Sequence, residues 1–138
     1  MNFLNKMPDW LRWILFLPAA VIAMFVSYPI IYFVNKITIY FILGPSIAAW
    51  ATLIIANYIS SALFVFIGAT VAPNKKLMVA VVLAVIYAFI GGASIMMKIY
   101  LGLEISLSLL QLSVGIISGI IGSICSVYAL FDEENATG

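Results

Sequence analysis

The sequence predicts an all-α membrane protein, four transmembrane helices in a compact bundle, and three observations predict it. Of 138 residues, 66% are hydrophobic and only 8% charged, whereas a soluble domain averages about a quarter charged residues. The few charges are gathered into clusters: Lys6, Asp9 and Arg12; Lys36; Lys75 and Lys76; Lys98 and Glu104; Asp132, Glu133 and Glu134. Between the clusters run four stretches without charge, near 11–34, 46–70, 77–97 and 107–130. Each is long enough to cross the hydrocarbon, which takes about 20 residues of helix at 1.5 Å per residue. A barrel strand would instead alternate polar and apolar over about 10 residues.

The first stretch follows a partly apolar leader, Met1–Pro8, and Asp9 is placed to cap its helix. A basic flank and small residues give it some likeness to a signal peptide, but its apolar run exceeds the usual h-region of about 7–15 residues. A retained helix is expected, bent at Pro18 and Pro29. The connection that follows, Ile37–Leu43, is apolar for a loop and is expected to ride in the outer leaflet or dock on the bundle. Gly44–Pro45–Ser46 restarts a helix, and Ala72–Pro73–Asn74–Lys75–Lys76 reads as a tight turn. The loops are too short to hold a second domain, so 1–138 is read as one, with an acidic tail at 131–138.

Orientation comes from basic residues in short loops. Lys6, Arg12, Lys75 and Lys76 fall on one side and Lys36 and Lys98 on the other. The excess places both termini and the Pro73–Lys76 turn in the cytoplasm of a multi-pass protein of the plasma (inner) membrane. Trp10 and Trp13 at one surface, with Tyr40, Trp50 and Tyr100 at the other, suit the headgroup region. Both outer loops open on a lysine and a short apolar run, Lys36–Ile37–Thr38 and Lys98–Ile99–Tyr100. The halves then read as two helical hairpins related by a weak parallel repeat, although chance likeness between apolar hairpins gives the same pattern.

Each helix carries a stripe of small residues. On the fourth, at 100° per residue, Ser108, Gln111, Gly115, Gly119, Gly122, Ser126 and Ala129 share one line, and Gly115 and Gly119 make a G-x-x-x-G. Leu109, Leu110, Ile117, Ile120, Ile121, Ile124 and Phe131 lie opposite. Helices in lipid associate by close packing and polar contacts, so the small face is a helix-packing or oligomer face. Weaker stripes are Ala19, Ala23 and Ser27; Ala49, Ala56 and Ser60; and Ala80, Ala84, Ala88 and Gly92. Asn57, Ser60 and Ser61 stand near the middle of the second span, as interhelical polar contacts or as lining of a pore. Lys75, Lys76, Asp132, Glu133 and Glu134 form a charged cytoplasmic rim.

Much chemistry is excluded. There is no histidine, and Cys125, the single cysteine, has no basic neighbour within the spans. All five carboxylates lie in loops or tails, which argues against acid–base catalysis or a proton relay in the membrane. Small multidrug transporters have this length and helix count, but they rely on a glutamate embedded in the first helix, which is missing. Small fluoride channels have a polar track and a phenylalanine arrangement that are also missing. No enzyme activity, metal, cofactor or nucleic-acid partner is expected. The reading is a non-enzymatic membrane protein acting through helix–helix contacts: an accessory subunit, a sensor or an immunity-type partner-binding protein. The alternative is a small homo-oligomeric channel lined by helices 2 or 4. Expected partners are the lipid bilayer and either a second copy or another membrane protein.

Overall fold

The computed structural model describes residues 6–102 and 108–137. They form α1 (Asp9–Leu43), α2 (Pro45–Val71), α3 (Lys76–Leu101) and α4 (Leu109–Thr137), and no strand occurs among them. All four helices are long and apolar enough to cross a membrane, so the chain has the build of a multi-pass membrane protein. The leader residues 1–5, Glu104 and the expected helix start at Leu107 lie outside the described residues.

Two helices outrun their expected ends, for the same physical reason. The connection expected at Ile37–Leu43 is helical, and α1 continues through it for 35 residues, about 52 Å at 1.5 Å per residue. Nothing in Lys36–Leu43 breaks a helix, and the polar groups there are absorbed locally. Asn35 Nδ2 donates to the Ile31 carbonyl at 2.9 Å, Thr38 Oγ1 donates to Val34 at 2.9 Å, and the Lys36 ammonium sits 5.8 Å from the centre of the Tyr32 ring. The reversal is left to Gly44 alone, whose φ of 84° favours glycine. Its N–H closes α1 on the Tyr40 carbonyl at 3.3 Å, and its carbonyl opens α2 by accepting from Ala48 at 3.1 Å. Pro45 follows at the first helical position, where its missing N–H costs nothing.

At the other end of the chain the expected acidic tail is helical to Thr137. Its Ala and Glu are good helix formers, no Pro or Gly interrupts it, and Thr137 Oγ1 donates to the Glu133 carbonyl at 3.0 Å. Asp9 is the first residue of α1 rather than its cap; Pro8 occupies the cap position and makes no side-chain bond. The Asp9 carboxylate still lies at the positive end of the helix. α1 runs through Pro18 and Pro29 as one helix.

α2 is the central helix and packs against all three others. α1 lies antiparallel on it, close enough that a methyl group built on Gly68 would stand 3.0 Å from the Ala20 side chain. α4 runs parallel to α2, since Ser118 bonds to Ile54 and Ser126 to Ala62 with the same sequence offset of 64. The apolar core, including Ala20, Phe64, Val65, Leu83 and Tyr87, lies around the half of the bundle nearer the α2–α3 turn.

The proposed repeat has no counterpart in the lysines that suggested it. Lys36 is inside α1, whereas Lys98 is in the last turn of α3. The α3 stripe also departs from expectation. Ala80 is buried but Gly92 is exposed with nothing within 4 Å, and the buried line passes instead through Leu83, Tyr87 and Gly91. On α2 it is Ala48, not Ala49, that is buried beside Thr52, Ala56 and Ser60.

Candidate functional site

The small face of α4 is divided between two neighbours. A Cβ on Gly115 would stand 3.0 Å from the Asn57 amide on α2, and one on Gly122 would collide with the Tyr58 carbonyl oxygen and stand 2.6 Å from Ser61 Oγ. Gly119, between them, faces α3 instead: its Cβ would strike the Tyr87 hydroxyl and lie 2.6 Å from the ring. The buried arc is Gly115, Ser118, Gly119, Gly122, Ser123, Ser126 and Leu130, wider than a single stripe because it serves two helices. Ile120, expected on the greasy face, packs partly against the core, and Ala129 is exposed.

The upper end of the expected face has a different use. Ser108 Oγ accepts from the Gln111 N–H at 3.2 Å, and Gln111 Oε1 accepts from the Ser108 N–H at 3.1 Å. This is a reciprocal capping box, Ser-x-x-Gln, that starts α4. Ser108 is exposed and its side chain serves the cap.

Two hydroxyls of α4 bond to backbone carbonyls of α2. Ser118 Oγ donates to the Ile54 carbonyl at 2.7 Å and Ser126 Oγ to the Ala62 carbonyl at 2.9 Å. Asn57 Nδ2 and Ser61 Oγ donate within their own helix, to Leu53 and Tyr58, both at 2.9 Å. Ser60 is buried, and its hydroxyl, like that of Thr52, has no hydrogen-bond partner. The Asn57 side chain is approached from α1 by Tyr28, which also lies near Tyr87 of α3. Near the helix midpoints Asn57 thus lies against Gly115 and Tyr87 against Gly119, with Tyr28 of α1 close by. Tyrosines prefer the headgroup level, so a tyrosine in mid-span was the available sign of these contacts. Ser118→Ala and Ser126→Ala are each expected to lower stability by about 0.6 to 1.7 kcal/mol. The losses should add, because the two sites are more than two turns apart. Unfolding in micelles checks this: a double variant no weaker than either single one would refute additivity, and one as stable as the unaltered chain would show the bonds to be dispensable.

The second constellation is at the end of the bundle where α2 turns into α3. Arg12, near the start of α1, donates from Nε to the Val71 carbonyl and from Nη2 to that of Ala72, each at 3.1 Å. A cation thereby satisfies the last carbonyls of α2, the partly negative end of that helix. The sequence places Arg12 on the same side as Lys75 and Lys76, but its partners here are backbone carbonyls; its sign was a lone guanidinium at the mouth of an uncharged span. Lys75 holds a left-handed φ of 52°, the only non-glycine residue to do so among those described.

Lys75, Lys76, Glu133 and Glu134 come together around a cavity of about 680 Å³, which Arg12, Thr70, Asn74 and Thr137 also line, with Phe66, Leu77 and Leu130 as apolar walls. Asp132 is exposed and is not on this cavity. Both sets of charge oppose their own helices. The lysines stand at the positive start of α3 and the glutamates at the negative end of α4, each placement unfavourable by up to about 1 kcal/mol. Among the described residues no group of three His, Cys, Asp or Glu side chains is arranged to hold a metal ion. No protein-family model, curated protein or solved structure matches this chain, so its function is argued from its own residues.

Proposed function

We propose that the chain is a non-enzymatic membrane protein that works by contact with another membrane component, as an accessory subunit, a sensor or an immunity-type partner. Both termini are then cytoplasmic. The observation that carries this is the closed seam of α4: neither Gly119 nor Gly122 has room for a methyl group. The hydroxyls and amides that would line a pore are spent in helix contacts or buried, with Ser60 and Ser61 at 1% and 0% exposure. A dry seam holds helices together, whereas conduction needs a continuous polar track. One observation favours the channel reading. Thr52 and Ser60 keep buried hydroxyls without partners, groups that water would satisfy if helices parted in an oligomer. Liposomes containing the purified chain are expected to show ion flux no greater than protein-free liposomes. Flux above that level which Ser60→Val removes would establish the channel and overturn the contact reading.

A further inference from the structure

We propose that the cavity at the α2–α3 turn binds the headgroup of a phospholipid that carries both a phosphate and a primary ammonium, the phosphoethanolamine class. The cavity lies where α2 ends, α3 begins and α4 ends. Helices of spanning length bring such ends to the headgroup layer. Its volume of about 680 Å³ falls in the range of about 300–1,000 Å³ typical of small-molecule sites.

The charges determine the ligand. Lys75 and Lys76 crowd the positive end of α3, and no side chain caps the free N–H groups of its first turn. A phosphate there meets two ammonium groups and a helix start, the usual surroundings of a bound phosphate. Glu133 and Glu134 are mutually repelling anions on the negative end of α4. A primary ammonium beside them supplies both charge and N–H donors. Among the described residues no lysine–glutamate ion pair closes across the cavity, so neither set is neutralised by the other. The walls formed by Phe66 and Leu130 suit the glycerol and upper acyl carbons. A purely anionic headgroup would answer the lysines but leave Glu133 and Glu134 without a cation. A choline headgroup has the charge but no N–H to give them.

The test is native mass spectrometry of the full chain in detergent micelles, with dioleoyl phosphatidylethanolamine, phosphatidylcholine or phosphatidylglycerol added at equal concentration. Phosphatidylethanolamine is expected to be retained roughly tenfold over phosphatidylcholine, the scale of one charge-assisted hydrogen bond. The double variant E133Q/E134Q should bring the two to parity, and K75Q/K76Q should weaken both. Soluble phosphoethanolamine is expected to displace the lipid better than inorganic phosphate does. Equal retention of the two lipids by the unaltered chain, preference for phosphatidylglycerol, or equal displacement by inorganic phosphate would each overturn the assignment. If the variants do not fold, the unaltered chain with mono- and dimethylated phosphatidylethanolamine decides the matter. Retention that falls with each lost N–H supports the site, and flat retention refutes it.

Discussion

Gly122→Leu is expected to part α2 from α4 and abolish the folded bundle, and even Gly122→Ala should cost about 1 to 3 kcal/mol, the usual range for overpacking. The obstacle at this position is the Tyr58 carbonyl oxygen, part of the α2 backbone, with Ser61 Oγ next to it at 2.6 Å. A backbone atom cannot swing away, so the whole helix must move. That movement stretches the Ser118–Ile54 and Ser126–Ala62 bonds on either side. Gly119→Ala meets only the side chain of Tyr87. It should be rescued in large part by Tyr87→Leu, whereas Ser61→Ala should not rescue Gly122→Ala. Thermal unfolding in detergent measures both cycles. Rescue at Gly122 by Ser61→Ala would mean that the helices are farther apart than the structure has them.

Arg12→Ala is expected to cost about 2 to 3 kcal/mol, less than the sum for two hydrogen bonds to a charged group at about 1.5 to 3 kcal/mol each. The discount reflects partial exposure, which lets water take over some of the solvation of the Val71 and Ala72 carbonyls. Arg12→Lys should recover at most about half of the loss, because an ammonium is a point charge and cannot span two carbonyls as the planar guanidinium does. Amide hydrogen exchange places the effect: α1 near its start and the last turn of α2 should exchange faster, while the Ser118–Ile54 region stays protected. A uniform increase across the bundle would mean that Arg12 acts on global stability rather than as a clamp between α1 and α2.

The number of helices and their apolar spans were legible because charge is so scarce that each cluster marks an end. Helix ends were read less well, and the misreadings share a cause. Lys36 and the Asp132–Glu134 run were taken as exits from helix, yet a charged residue does not end a helix; only Gly44 and Gly102, both at positive φ, and the Pro73 turn do. The glycine line on α4 could be read from spacing, but its partners could not. A periodicity of 100° identifies a face and not what lies against it, and here Gly119 turns to α3 while its neighbours turn to α2. Helix-3 spacing misled for a related reason: alanines at every fourth position drift around the helix, and Gly92 ends in open space. Of the charges grouped at the rim, Lys75, Lys76, Glu133 and Glu134 line one cavity and Asp132 does not. The role of Arg12 was not legible, because its partners are backbone carbonyls about 60 residues away, which no side-chain pattern announces.

The single-residue reversal at Gly44 has a consequence for how the chain sits in a membrane. α1 carries its first cation at Arg12 and its last at Lys36, and between them lies about 36 Å of helix at 1.5 Å per residue. The hydrocarbon of an average bilayer is about 30 Å thick, and thicker sterol-rich membranes reach about 33 Å. The two cations therefore reach the headgroup layers on either side, and any excess length is taken up by tilting or by local thickening of the bilayer. Beyond Lys36 the tip continues with Phe41, Ile42 and Leu43, all more than half exposed. Because Gly44 turns the chain without any polar loop, that tip meets the headgroup layer through side chains such as Tyr40 and Trp50. The tilt of the α1–α2 hairpin is then a compromise between its packing in the bundle and the thickness of the bilayer around it.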